Sequence, residues 1–151
     1  MNQSFGNRHR HKGYLLKSNA EYSFALMLDR LQQAGEVVEW LYEPTKFWFE
    51  GIRAGTTSYR PDFYVIWAGD AEHIYYEIKR GNIQQKDITK YKRLAKRYPD
   101  VVLVLVVPKI PQGRSKSAIR MRILLDKANE YVDHIWEVGD DYRKLGIPTR
   151  F

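Results

Sequence analysis

Two short segments, Arg60-Pro61-Asp62-Phe63 and Glu77-Ile78-Lys79, carry two carboxylates and an ammonium, with fifteen residues from Asp62 to Glu77. Side chains alternate faces along a strand, so Glu77 and Lys79 stand side by side with Tyr75, while Ile74, Tyr76 and Ile78 share the other face. If a turn at Ala68-Gly69-Asp70-Ala71 closes a hairpin, Asp62 comes close to Glu77. Two carboxylates in contact repel unless a cation sits between them. With no cysteine in the chain and no clustered histidine beside these acids, hard oxygen ligands favour Mg²⁺, or Mn²⁺ in its place, over zinc. A metal held there would polarise a phosphate and lower the pKa of a bound water. Lys79 would orient or deprotonate that water, or neutralise charge on the phosphoryl oxygens. An E-x-K pair alone is also what a cross-strand surface pair looks like, and the surrounding elements must separate the two readings.

A helix is expected from Ser18 or Asn19 to Gly35, with Phe24, Ala25, Leu28 and Leu31 at helical spacing and Leu26 and Met27 widening the stripe. Glu21 lies one turn before Phe24 and Ala25, on the apolar face. Two readings compete for it. Ser18-Asn19-Ala20-Glu21 is a formal capping box, in which Glu21 returns to the Ser18 amide. Alternatively, an acid on a buried helix face is there for chemistry. One strand, or two broken at Pro44, is expected over Val37–Phe49 on a sheet edge, then strands over Tyr59–Trp67 and His73–Lys79. Gly81 and Asn82 open a basic helix carrying Ile88, Tyr91, Leu94, Ala95 and Tyr98, which Pro99 ends. Val101–Val107 reads as a strand buried on both faces. Strand, helix and buried strand together imply a right-handed crossover. Ser115 or Ser117 caps a last helix to about Tyr131, and Ile135, Trp136 and Val138 form a final short strand. The expected fold is α/β, with α-β-β-β-α-β order around a mixed sheet. It forms one domain over 14–138, between a flexible basic arm (1–13, with His9 and His11) and a tail (139–151).

The chain has 151 residues and a net charge of +7, and the charge is unevenly placed. Residues 1–20 carry +4, residues 21–77 carry −6, and residues 78–97 carry +7 from eight bases and a single acid. Residues 109–127 carry +5. An acidic stretch is thus bracketed by basic ones, which either lie on solvated faces or suit a nucleic-acid enzyme, in which bases neutralise phosphates and a few carboxylates hold a metal against one of them. The absence of cysteine excludes disulfides, thiolate nucleophiles and Cys-ligated metals. No apolar run approaches the roughly 20 residues needed to span a bilayer. The polar N-terminus lacks a signal-peptide core, and the cytoplasm is the expected location.

Pro61-Asp62, Glu77-x-Lys79 and the upstream Glu21, in this order of elements, resemble the PD-(D/E)XK nuclease superfamily over roughly Ser18 to Val107. Small size, the first-helix glutamate and the basic N-terminal arm make the chain look most like Holliday junction resolvases of archaeal and phage type. The resemblance implies a restriction-endonuclease-like αβββαβ core. It implies that Asp62 and Glu77 ligate the metal with the backbone carbonyl of Ile78. Lys79 positions or activates the attacking water, and Glu21 reaches the metal directly or through water, which decides its role in favour of the site. It further implies hydrolysis of a phosphodiester to 5′-phosphate and 3′-hydroxyl. Lys86, Lys90 and Arg93 on the basic helix would then meet phosphate. So would Arg8, Arg10, Lys12 and Lys17 near a junction, and Arg114, Lys116 and Arg120 as a third patch. Symmetric cutting of two strands implies a homodimer. Trp40, Tyr42, Phe47 and Trp48 are either core or the interface of that dimer. The competing readings are a nuclease of linear, branched or mismatched duplex, as in phage or transposon systems, and a non-catalytic nucleic-acid-binding module.

Overall fold

The computed structural model describes residues 9–69, 72–80 and 83–147. In chain order the elements are β1 (His9–His11), β2 (Tyr14–Leu16), α1 (Asn19–Gln33), β3 (Val37–Tyr42), β4 (Phe47–Trp48), β5 (Ser58–Tyr59), β6 (Phe63–Trp67), β7 (His73–Ile78), α2 (Gln85–Arg97), β8 (Leu103–Val107), α3 (Lys116–Asn129), β9 (His134–Glu137) and α4 (Gly139–Lys144). The ends of α1 follow from its residue types. The Ser18 hydroxyl accepts from the Glu21 amide at 3.1 Å. At the other end Gly35 takes φ +81°, while the amides of Gly35 and Glu36 donate to the Gln32 and Leu31 carbonyls, a Schellman closure. Ser115 caps α3 in the same way, its hydroxyl accepting from the Ala118 amide at 3.1 Å. The expected opening of the basic helix at Gly81 and Asn82 lies outside the described residues, as does part of the turn at Asp70 and Ala71.

Five strands form a mixed sheet in the order β3-β6-β7-β8-β9. β3, β6 and β7 run antiparallel, and β8 and β9 run parallel to β7. The protein is therefore mixed α/β. Alternation along β7 and β8 sorts side chains to two cores. Tyr76, Ile78, Val104 and Val106 meet Phe24, Met27 and Leu28 of α1, whereas Leu103, Leu105 and Val107 meet the apolar faces of α2 and α3. All five β8 residues are buried, as a run with no polar residue requires.

Three expectations change. The strand expected over Tyr59–Trp67 is two strands. Pro61 has no amide to donate and breaks the ladder, so β5 leaves the central sheet and pairs with β4, Phe47 opposite Tyr59. The arm expected to be flexible is ordered over residues 9–13: β1 pairs with β2, and the hairpin docks on α1. His9 stacks on Tyr22 with ring centroids 4.4 Å apart and meets the Asn19 side chain at 2.6 Å. His11 Nε2 lies 2.6 Å from Asp29. The tail expected from residue 139 is part of the fold over 139–147, because Tyr142 and Ile147 enter the first core and the Trp136 indole donates to Asp141 at 2.9 Å. Tyr142→Ala is accordingly expected to cost about 3–5 kcal/mol in denaturant unfolding, the price of emptying a buried aromatic site. A true tail residue would cost within about 0.5 kcal/mol.

Of the aromatic residues that were either core or interface, Trp40, Tyr42 and Phe47 are core, and Trp48 is exposed beneath the Lys46 ammonium.

Candidate active site

The break at Pro61 also builds the site. β6 pairs with β7 only as far as Phe63 opposite Tyr76. The next β7 amide aimed at β6, that of Ile78, therefore has no ladder carbonyl, and it donates to the Asp62 carboxylate at 2.7 Å. This pins one Asp62 oxygen beside Glu77, as the hairpin expectation required. Glu77 is likewise held by one oxygen, which accepts from the Tyr59 hydroxyl at 2.8 Å. Tyr59 is delivered by β5, the strand that Pro61 diverts. Lys79, just past the end of β7, is fixed by its own amide to the Val106 carbonyl at 2.9 Å. Its ammonium lies 3.8 Å from the other Glu77 oxygen.

Both carboxylates are buried and poorly compensated. Burial and then repulsion from Glu77 and Glu21 push Asp62 well above the usual carboxylate range, against the pull of the Ile78 amide and Lys79. Burial pushes Glu77 up to about 7, although Lys79, the Tyr59 hydroxyl and Lys90 each favour its charged form. Among the described residues the buried Tyr91 hydroxyl has no hydrogen-bond partner, and burial and the charges of Glu77, Asp87 and Asp62 hold it above its normal range.

Glu21 satisfies part of both sequence readings. Its amide meets Ser18 as in a capping box, but its carboxylate passes the Ser18 amide and accepts from the Lys17 amide and from the Tyr42 hydroxyl, each at 2.7 Å. It is buried and acts electrostatically on Asp62. Among the described residues no three His, Asp or Glu side chains are gathered as a ready metal centre, so Glu21 does not join Asp62 and Glu77 in one tight ligand set. The donor set nevertheless fits a hard divalent cation. Two buried carboxylates, Asp62 just ahead of β6 and Glu77 on β7, each have one oxygen pinned by a neutral donor, and among the described residues no imidazole joins them and the Tyr91 hydroxyl nearby is without a hydrogen-bond partner.

Sequence reasoning missed Asp87 and Tyr59. Asp87 is the single acid among the basic residues of 78–97, and that isolation was the available signal. It is 2 % exposed. One of its oxygens accepts from the Gln84 amide at 2.9 Å, capping α2. The other accepts from the Lys79 ammonium at 3.0 Å, with Lys90 Nζ at 3.9 Å. Tyr59 gave no signal, since its reach to Glu77 depends on the β4–β5 excursion.

The cations expected to meet phosphate divide into two groups. Arg10, Lys86, Arg114, Lys116 and Arg120 are exposed, and Arg8 lies outside the described residues. The others have partners within the fold, although Lys12 and Lys17 are exposed as well. Lys12 pairs with Asp29 at 2.5 Å beside the Trp40 ring, and Lys17 pairs with Glu43 at 2.6 Å. Arg93 donates to the Thr56 carbonyl, tying α2 to the β4–β5 loop, and Lys90 leans over Tyr59. Asp29 shows how firmly the hairpin is tied: burial alone would raise its pKa, but Lys12, His11 and Trp40 outweigh it and hold the carboxyl below its usual range. No family model matches the chain, and no curated protein matches it.

Proposed function

We propose that the protein is a metal-dependent, structure-selective DNA endonuclease, with a four-way junction as its substrate and a homodimer as its working form. The observation that carries this reading is the pair Asp62 and Glu77, buried side by side with too little positive charge to balance them, at the end of β7 where Lys79 and the basic α2 begin. A fold does not leave such a pair uncompensated for stability's sake. The PD-(D/E)XK resemblance supplies the reaction class. Asp62 and Glu77 would hold Mg²⁺ with the Ile78 carbonyl, and Glu21 would act on it through water. Held there, the ion would polarise the scissile phosphate and acidify a water. The residues themselves do the rest. The Ile78 amide and Tyr59 fix the two carboxylates, Lys79 presents its ammonium beside Glu77, and Arg10, Lys86, Arg114, Lys116 and Arg120 offer charge to the duplex backbone without reading its sequence. Among the described residues no helix is long and apolar enough to cross a membrane.

The test is incubation of the protein with labelled four-way junction, linear duplex and single strand, each with Mg²⁺ or EDTA. Paired nicks in the junction alone, only with Mg²⁺, are expected. Similar rates on linear and branched DNA would replace the resolvase reading with a general duplex nuclease. Binding without any cutting would leave a DNA-binding module.

A further inference from the structure

Lys79 has two acids to choose between. Its ammonium is 3.0 Å from Asp87 and 3.8 Å from Glu77, so it bonds the first and only neighbours the second. Asp87 is built to win this competition. It is almost wholly buried and anchored through its other oxygen to the Gln84 amide, and Lys90 Nζ, 3.9 Å from the oxygen that Lys79 bonds, lies farther off than Lys79 does. If Lys79 swung 1 Å or so the other way it would form a direct ion pair with Glu77 and occupy the oxygen that Tyr59 leaves open. A Glu77 carboxylate closed by its own lysine would be a poor ligand for a cation. We infer that Asp87 is a positioning residue that draws the Lys79 ammonium off Glu77, keeping that carboxylate open for a divalent cation while leaving Lys79 within reach of a phosphate oxygen. The inference rests on the metal-dependent reading of the site, and it adds a residue outside the Asp62, Glu77, Lys79 and Glu21 set.

Asp87→Asn keeps a carbonyl oxygen to cap α2 but loses the charge that holds Lys79. It should raise the Mg²⁺ concentration for half-maximal junction cleavage about 10–100-fold, the range for losing an outer partner of a metal site, with KM for the junction unchanged. Asp87→Glu should recover part of the loss. In a Lys79→Ala background, which is expected not to cleave, Mg²⁺ binding is followed by calorimetry in both backgrounds, and there the same Asp87→Asn change should alter Mg²⁺ affinity less than about twofold, because the competitor for Glu77 is already gone. Equal losses in both backgrounds would make Asp87 a helix cap and overturn the inference. A second readout does not depend on cleavage. The ¹⁵N resonance of the Lys79 ammonium, assigned by its loss in Lys79→Ala, should shift in Asp87→Asn of the metal-free protein, whose unfolding midpoint checks that α2 is intact. A resonance that stays in place also overturns the inference. If it shifts while the wild-type protein cuts no DNA with Mg²⁺, the nuclease reading fails and the positioning of Lys79 by Asp87 stands.

Discussion

Asp62→Asn will abolish junction cleavage and, in the same protein, raise the melting temperature of the metal-free state. The two effects have one cause. Without a cation Asp62 must either carry a buried charge opposed by Glu77 and Glu21 or take up a proton, and each costs the fold stability. Asparagine is nearly isosteric. Its side-chain oxygen still accepts from the Ile78 amide, which the carboxylate now meets at 2.7 Å, so the end of the β6–β7 ladder stays closed. What disappears is the charge. Cleavage should fall by more than about 100-fold, since even an outer-shell partner of a metal site is worth 10–100-fold. Junction binding should persist, because phosphate affinity comes from exposed cations elsewhere. In EDTA at pH 8 the melting temperature should rise by a few degrees, about 1 kcal/mol corresponding to about 2–4 °C in a chain of this size. If Asp62 were only a backbone cap, the variant would cut DNA at the wild-type rate and melt at the wild-type temperature. Either result would sink the site assignment.

The second large effect is a dependence of stability on pH that Mg²⁺ removes. In the folded metal-free protein Glu77 titrates at about 7, against 4.5 in the unfolded chain. Between those values the folded state holds a proton that the unfolded state has released. Fewer protons on the unfolded state means that stability falls as pH rises. The contribution of Glu77 is thus fully present below about pH 4.5 and lost by the time pH passes about 7, a swing on the order of 3 kcal/mol at 1.36 kcal/mol per pKa unit. Other groups titrate over the same range, so the quantity to measure is the difference between wild type and Glu77→Gln. Denaturant unfolding in EDTA should show Glu77→Gln gaining on wild type from pH 5 to pH 8. On the proposed reading Mg²⁺ would bind the deprotonated pair, and at about 100 times its dissociation constant it should return about 2.7 kcal/mol to wild type and almost nothing to the variant. A flat difference across that range would show that Glu77 is already balanced and needs no cation.

Much of this arrangement is legible in the residues. Ser18 and Gly35 mark α1, the unbroken apolar run marks β8, and the two-residue alternation of β7 places Glu77 beside Lys79 and opposite Asp62. Each of these rests on local chemistry with one physical outcome. What was not legible depends on where the chain goes after a break. Pro61 announces a ladder interruption, but nothing local says that the freed Ser58–Tyr59 strand pairs with Phe47–Trp48 and so brings the Tyr59 hydroxyl to Glu77. Asp87 reads as an N-terminal helix acid, which it is; its grip on Lys79 depends on how α2 leaves β7. The basic N-terminal segment shows the same limit. Charge and glycine content suggested a loose arm, whereas the stacking of His9 on Tyr22 and the pairing of His11 and Lys12 with Asp29 fasten residues 9–13 to the domain. Net charge cannot distinguish cations offered to DNA from cations used internally.

The place of β8 has a consequence for when the site comes into being. β8 lies between β7 and β9 in parallel register, so each of its two ladders closes only after a helical crossover has been made. Such long-range pairings are the slow steps of folding. The Val106 carbonyl that fixes Lys79, and the second core that seats α2 with Asp87, both belong to that late assembly. A growing chain emerging from the ribosome therefore displays Asp62 and Glu77 on an early hairpin well before it can hold Lys79 in place. The complete set of Asp62, Glu77, Lys79 and Asp87 and the completed topology arrive together.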